Sequence, residues 1–168
     1  RIIAPAVEYF RHHGSKDDRL KSQYYLGRIH YNAGDYKKAI STFSNALSLC
    51  DRFVDKKYEG LICTAISDTY SATYNDEESI GYLERALSCF KEISDTTLIN
   101  ATLFLKCRYY HNTGQWDAAN SLYDMLNRSE NGSKSLAAAI CEGYAFNIVC
   151  SESPDFPKAV RLFEKAIS

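Results

Sequence analysis

Neither sign of charge dominates this 168-residue chain: 20 lysines and arginines are interspersed with 21 aspartates and glutamates, for a net charge of −1. Surfaces for nucleic acid ordinarily show as a basic excess or stripe, so no nucleic-acid partner is expected of this segment. Long apolar runs are also missing. A membrane-crossing helix needs about 18 apolar residues. The longest run here is "LAAAIC", residues 136–141, so no membrane partner is expected of this segment. Cysteine is present, but not in metal-binding patterns. Cys50, Cys63, Cys89, Cys107, Cys141 and Cys150 form no C-x-x-C pair and have no histidine at ligand spacing, so no metal is expected. A chain of this length can build a core without disulfides. That favours a reducing, cytoplasmic setting, while the even cysteine count leaves an oxidised alternative open. The first residue is Arg1, not methionine, and a removed signal segment with a cell-envelope location stays possible in principle.

Catalytic patterns are missing too: there is no H-E-x-x-H, no G-x-S-x-G and no G-x-x-x-x-G-K-[ST]. Neighbouring helical residues point about 100° apart, so His12-His13 reads as a solvated helix end and not as a chelate. Asp76-Glu77-Glu78 suits the positive end of a helix. Asn-x-Ser/Thr at Asn100, Asn127 and Asn131 reads as chance. No enzyme and no cofactor are expected.

What the chain does contain is a repeat. Taking Ala39, Phe43 and Ala46 and stepping forward by forty gives Ser79, Leu83 and Ala86, then Ala119, Tyr123 and Leu126, then Ala159, Phe163 and Ala166. One step back from Phe43 and Ala46 reaches Ile3 and Ala6. Each triplet is small, large apolar, then small or apolar. Helix-start residues recur at the same interval: Asp35, Asn75, Gln115 and Asp155 before the triplet helix, and Ser15, Asp55, Asp95 and Ser135 before a companion helix. Pro157 fits a first helical turn, and Gly34 and Gly114 fit the turn between the two helices. Ile40, Phe43, Leu47, Cys50 and Val54 form one apolar stripe. The spacing therefore predicts helix A over about 16–33 and helix B over about 36–54, then the same pair again at each step, nine helices altogether and no strand. The predicted divisions are 1–14 (the second helix of a preceding repeat), 15–54, 55–94, 95–134 and 135–168. Such hairpins bury their apolar faces only by stacking. Ile2, Ile3, Val160 and Ile167 look like faces awaiting a neighbour, so the chain is expected to be part of a longer array.

"YYLGRIHYNAGDYKKAISTFSNALSL" resembles a tetratricopeptide repeat: Leu26-Gly27 in helix A, Gly34-Asp35-Tyr36 at the turn, and Ala39, Phe43 and Ala46 in helix B. "CRYYHNTGQWDAANSLYDML" and "SPDFPKAVRLFEKAI" resemble it less closely, and "ISDTYSATYNDEESIGYLERAL" chiefly by register. The family period is about 34 residues, so about six are added here after Ala46, placed in a longer helix B and an earlier start of helix A. In period alone this is similar to the repeats of bacterial regulatory and sensor proteins and of the kinesin light chain. The resemblance implies an all-α, right-handed superhelix with helix A lining a concave face. On that face it implies peptide-binding positions at Tyr24, Arg28, Tyr31 and Asn32, at Thr64, Asp68 and Ser71, at Phe104, Arg108, His111 and Asn112, and at Tyr144 and Ile148. Chaperone-binding members carry Lys, Asn and Asn where this chain has Tyr24, Arg28 and Tyr25, so the resemblance does not extend to their carboxylate clamp. Trp116, like Tyr36 and Phe156, stands at the aromatic place after the turn and reads as core. The expected function is a non-catalytic protein- or peptide-binding module, the sensor or scaffold part of a larger regulatory protein. The alternative is a structural array that self-associates through its terminal helices.

Overall fold

Nine α-helices and no strand are found among the residues that the computed structural model describes, 3–50, 55–129 and 133–167. They are α1 (Ile3–His13), α2 (Lys16–Asn32), α3 (Tyr36–Ser48), α4 (Lys56–Ala72), α5 (Asp76–Glu92), α6 (Thr96–Asn112), α7 (Trp116–Arg128), α8 (Lys134–Cys150) and α9 (Phe156–Ile167). Two compact units divide them, residues 1–94 and 95–168. In the first, α1 packs on α2, α2 on both α3 and α4, α3 on α4, and α4 on α5; in the second, α6 packs on α7 and α8, α7 on α8, and α8 on α9.

Side chains start the helices where the first-turn N–H groups need acceptors. Ser15 Oγ accepts from Asp18 N, and the Asp18 carboxylate accepts from Ser15 N (3.0 Å), closing a capping box at the start of α2. Asp35, Asp55, Asp95 and Asp155 cap α3, α4, α6 and α9 without such a box, each accepting from one first-turn N–H through Oδ1. Asn75 and Gln115 occupy the cap positions of α5 and α7 but make no side-chain cap bond.

The repeated triplets are the core. Ala39, Phe43 and Ala46, then Ser79, Leu83 and Ala86, then Ala119, Tyr123 and Leu126, are all buried. In the last triplet only Ala159 is buried, and Phe163 is 40% exposed. Val160 and Ile167 beside it are exposed, as the stripe of α9 suggests; Ile2 and the side chain of Ile3 lie outside the described residues.

Two expectations need correction. Helix B does not reach residue 54 in the first copy: α3 ends at Ser48, Cys50 lies beyond it, and Val54 is outside the described residues. Only α5, at 17 residues against 13 for α3 and α7, takes the lengthened form. Its last turns bury Leu87, Cys89 and Phe90, and Gly60 of α4 leaves room for the Phe90 ring. Leu49 and Cys50 are only half-buried, which gives α3 less reason to continue.

The second correction concerns register. Helix A of the fourth copy is capped by Ser133, not Ser135, with Ser133 Oγ accepting from Leu136 N. It starts two residues earlier than the forty-residue step requires. The α8–α9 connection restores them: it runs over 151–155, whereas the three earlier A–B turns run over 33–35, 73–75 and 113–115.

Gly34 and Gly114 take positive φ at their turns, +75° and +72°. The matching residue of the second copy is Tyr74, at φ 57° and 94% exposed. A left-handed backbone costs a non-glycine residue about 1 kcal/mol or more, and this side chain packs on nothing. Tyr74→Gly is therefore expected to raise stability by about 0.5–1 kcal/mol, read as a higher urea midpoint at unchanged slope.

Candidate functional site

Helix-A side chains of the first unit are largely engaged with one another. Tyr24 meets Tyr25 at 5.2 Å and Tyr58 at 5.7 Å, and tilts over Phe43 at 6.3 Å. Burial raises the Tyr24 phenol's pKa, Arg28 opposes the rise, and Tyr25 and Asp68 add to it, so Arg28 and Asp68 both act on this ring. The Arg28 guanidinium lies 5.7 Å from the centre of the Tyr31 ring, which meets Tyr36 edge-on. Thr64 Oγ1 donates to the Leu61 carbonyl, Ser71 Oγ donates to Asp76, and Asn32 is exposed.

In the second unit, α6, α7, α8 and α9 enclose a groove of about 440 Å³. Phe104, Arg108, His111 and Asn112, all expected at the site, line it from α6. Gly143 forms part of the floor: a Cβ there would lie 2.7 Å from the Tyr123 hydroxyl and 3.2 Å from the Phe104 ring. Burial holds the Tyr123 phenol protonated far above its ordinary range, with Cys107 adding and Arg108 opposing. The guanidinium and the Glu142 carboxylate give the groove charges of both signs.

Tyr144 and Ile148 do not line it. They are 2% and 4% exposed, in the core of the second unit. Tyr144 stacks on Tyr123 at 5.6 Å and sits under the Lys158 ammonium at 4.5 Å. The reason is the early start of α8. Counted from the caps, the partners of Tyr24, Thr64 and Phe104 and of Arg28, Asp68 and Arg108 are Glu142 and Phe146, two residues before those expected. Small buried residues agree with this count: Gly27, Ser67 and Cys107 are matched by Ala145. Both Glu142 and Phe146 line the groove, as does Phe163 of α9. Aligning Ser133 with the other caps would have found the first two. No sequence signal marked Phe163, which looks like another core position of helix B.

A polar cavity of about 510 Å³ lies among Gly114, Trp116, Asn120 and Ser151, at the α6–α7 turn and the α8–α9 connection. Its charged walls, Asp117 and Glu152, carry one sign, and Trp116 is its single aromatic, so the aromatic groove is the better-equipped site. Trp116 is half-buried, edge-on to His111 at 5.0 Å, while Phe156 is exposed.

The thiols are free, and burial pushes Cys63 and Cys107 up to about 12 and Cys50 up to about 11, which makes them poor nucleophiles at neutral pH. His12 Nε2 lies 3.1 Å from Glu8 Oε1 on an exposed surface. Among the described residues no group of three His, Cys, Asp or Glu is placed to hold a metal ion, and no helix is long and apolar enough to cross a membrane. Asn100 is buried, Asn127 Oδ1 accepts from Lys165 Nζ at 2.7 Å, and Asn131 lies outside the described residues.

The tetratricopeptide repeat family model matches residues 21–53. Among solved structures, a putative kinesin light chain of Podosopora anserina with nearly identical TPR-like repeats is 15% identical at a TM-score of 0.75, the match covering 98% of this chain and 82% of that one. A variant of that protein carrying one substitution is likewise 15% identical, at a TM-score of 0.77 over the same shares. BtubC (BKLC) from P. vanneervenii is 14% identical at a TM-score of 0.84, over 98% of this chain and 69% of that one. No curated protein sequence is a significant match. Likeness at these identities establishes fold: an all-α array of tetratricopeptide-like helical hairpins.

Proposed function

With a tetratricopeptide repeat at residues 21–53 and the tetratricopeptide-like fold along the chain, we propose that this protein is a non-catalytic peptide-binding module, the sensor or scaffold part of a larger regulatory protein. The fold generally serves protein interaction and is typically non-catalytic. One observation carries the reading to a place: Phe104, Phe146 and Phe163 converge from three helices on one groove that also holds Arg108 and Glu142. Phenylalanine rings supply contact area with few torsions to freeze, and charges of both signs give a bound segment a direction.

The test uses peptides selected from a random library on the whole chain and titrated by fluorescence anisotropy. The double variant Arg108→Ala/Phe146→Ala is expected to lose at least tenfold in affinity, about 1.4 kcal/mol, with its circular dichroism unchanged. Arg28→Ala, in the first unit, is expected to change the affinity of groove-selected peptides less than twofold. Full affinity in the folded double variant refutes the site.

Self-association is the second reading, and a separate observation favours it. Val160, Phe163 and Ile167 on α9 line a mostly apolar groove of about 380 Å³ with Ala138 and Ala166, and Glu142 and Glu164 complete its lining. Sedimentation should then show concentration-dependent assembly that Val160→Glu/Ile167→Glu abolishes; a monomer at all concentrations rejects it.

A further inference from the structure

Asn147, on the inward face of α8, is fully buried. Its Nδ2 donates to the Trp116 backbone carbonyl (3.2 Å) and to Asn120 Oδ1 (2.8 Å), both on α7. A backbone carbonyl can only accept, so the orientation of the Asn147 amide is settled by chemistry. Its Oδ1 is thereby left facing His111 Nδ1 at 2.8 Å. An amide oxygen also only accepts, so Nδ1 carries the proton. A neutral imidazole has one N–H, which leaves a lone pair on Nε2. The ring meets Trp116 edge-on at 5.0 Å and Phe146 at a tilt at 5.3 Å, and it lines the groove together with Phe104 and Phe146. With Nδ1 used, Nε2 is the ring nitrogen left for a ligand. Among aromatic walls, a hydrogen bond to it is worth more than one in open water.

We propose that Asn147 is a positioning residue that holds His111 as its Nδ1–H tautomer, so that Nε2 gives the groove an acceptor, and that the groove selects peptide segments placing an N–H or O–H donor beside their apolar side chain. The selection rests on the reading of the groove as a peptide site; the tautomer does not. With the opposite tautomer, a donor on the ligand would meet the Nε2–H, and an unpaired polar group would be buried on binding.

Long-range ¹H–¹⁵N correlation spectra of the whole chain at pH 8, above the ordinary imidazole range, read the tautomer directly. In the wild type, His111 Nδ1 should show a pyrrole-type shift and Nε2 a pyridine-type shift. In Asn147→Leu the two should move toward each other as the alternative tautomer becomes populated. Should that variant fail to fold, the wild-type spectrum alone decides. Selection is read with hydrocinnamamide and methyl hydrocinnamate, which share one apolar side chain and of which only the amide carries an N–H donor, followed by the shifts of the groove resonances. The amide should bind about three- to tenfold more tightly, the size of one net hydrogen bond, and His111→Phe should erase the difference. A pyridine-type Nδ1 in the wild type overturns the inference, as does equal binding of the two compounds by a chain with the expected tautomer. If the tautomer is as expected and neither compound moves the groove resonances, the peptide-site reading fails and takes the selection with it, while the positioning role stands.

Discussion

Adding one methyl group at Gly27 or at Gly60 is expected to destabilise the first unit by at least about 2 kcal/mol. An ideal Cβ at Gly27 would lie 2.3, 2.5 and 2.8 Å from Cε1, Cδ1 and Cζ of Phe43; one at Gly60 would lie 2.4 and 2.6 Å from Cε1 and Cζ of Phe90. Both rings are 0% exposed and cannot swing into solvent. Two effects compete. Alanine is the better helix former by about 1 kcal/mol, while overpacking a filled core costs about 1–3 kcal/mol and occasionally more. Contacts this short against caged rings put the cost at the upper end, so the clash wins. Shrinking the ring should relieve it, so Gly27→Ala/Phe43→Leu is expected to lose less than the two single changes added together. Urea unfolding of the three variants and the wild type closes the cycle. An alanine variant as stable as the wild type, or losses that add within about 0.3 kcal/mol, would show that the close approach of helix and ring is not what makes glycine necessary.

Arg85→Met should cost about 2–3 kcal/mol at pH 7, with a pH signature that packing alone would not give. Glu59 is a buried carboxylate of α4, 7% exposed at its side chain. Arg85 Nη2 and Nε donate to its Oε1 at 2.7 and 3.0 Å, and Lys56 Nζ donates to Oε2 at 2.9 Å. Removing one partner of a fully buried pair leaves an under-compensated charge, which costs about 3–5 kcal/mol when nothing else remains; here Glu59 is buried but the Arg85 side chain is 44% exposed, so water takes over part of the lost compensation. Lys56 remains here and lowers that figure, and methionine keeps much of the packing of the arginine stem. Burial by itself raises the pKa of Glu59, but the hydrogen bonds from Lys56 and Arg85 outweigh it and hold the group below its ordinary 4.5. A carboxylate depressed in the folded state adds stability above its unfolded pKa and loses that contribution as pH falls through the folded one. The wild type should therefore lose stability below pH 4.5 more steeply than Arg85→Met, and the gap between them should narrow from pH 7 to pH 4. Chemical denaturation at the two pH values measures it. A gap that is the same at both, or absent at pH 7, would mean that the ion pair is not what Arg85 contributes.

The sequence by itself determined the helices and their order. Caps and apolar triplets are local signals: Ser15, Asp55 and Asp95 satisfy N–H groups within three residues of themselves, and Phe43, Leu83 and Tyr123 recur at the interval that one hairpin occupies. The α6 side of the groove was legible for the same reason, since Phe104, Arg108 and His111 share a helix face. What the forty-residue step could not show was how far a helix continues and what covers it. Burial of Phe90 over Gly60 extends α5, and among the described residues no comparable burial extends α3. Two residues fewer before α8 turn Tyr144 and Ile148 into the core and bring Glu142 and Phe146 to the groove, because a two-residue shift rotates a helix face by about 200°. The tautomer of His111 is further still from the chain's own order: it depends on Asn147, 36 residues away, and through it on a carbonyl of a third helix. Local hydrogen bonds and periodicity act over a few residues and can be read in line, whereas side-chain burial and hydrogen-bond polarity are decided by whatever the neighbouring helices bring alongside.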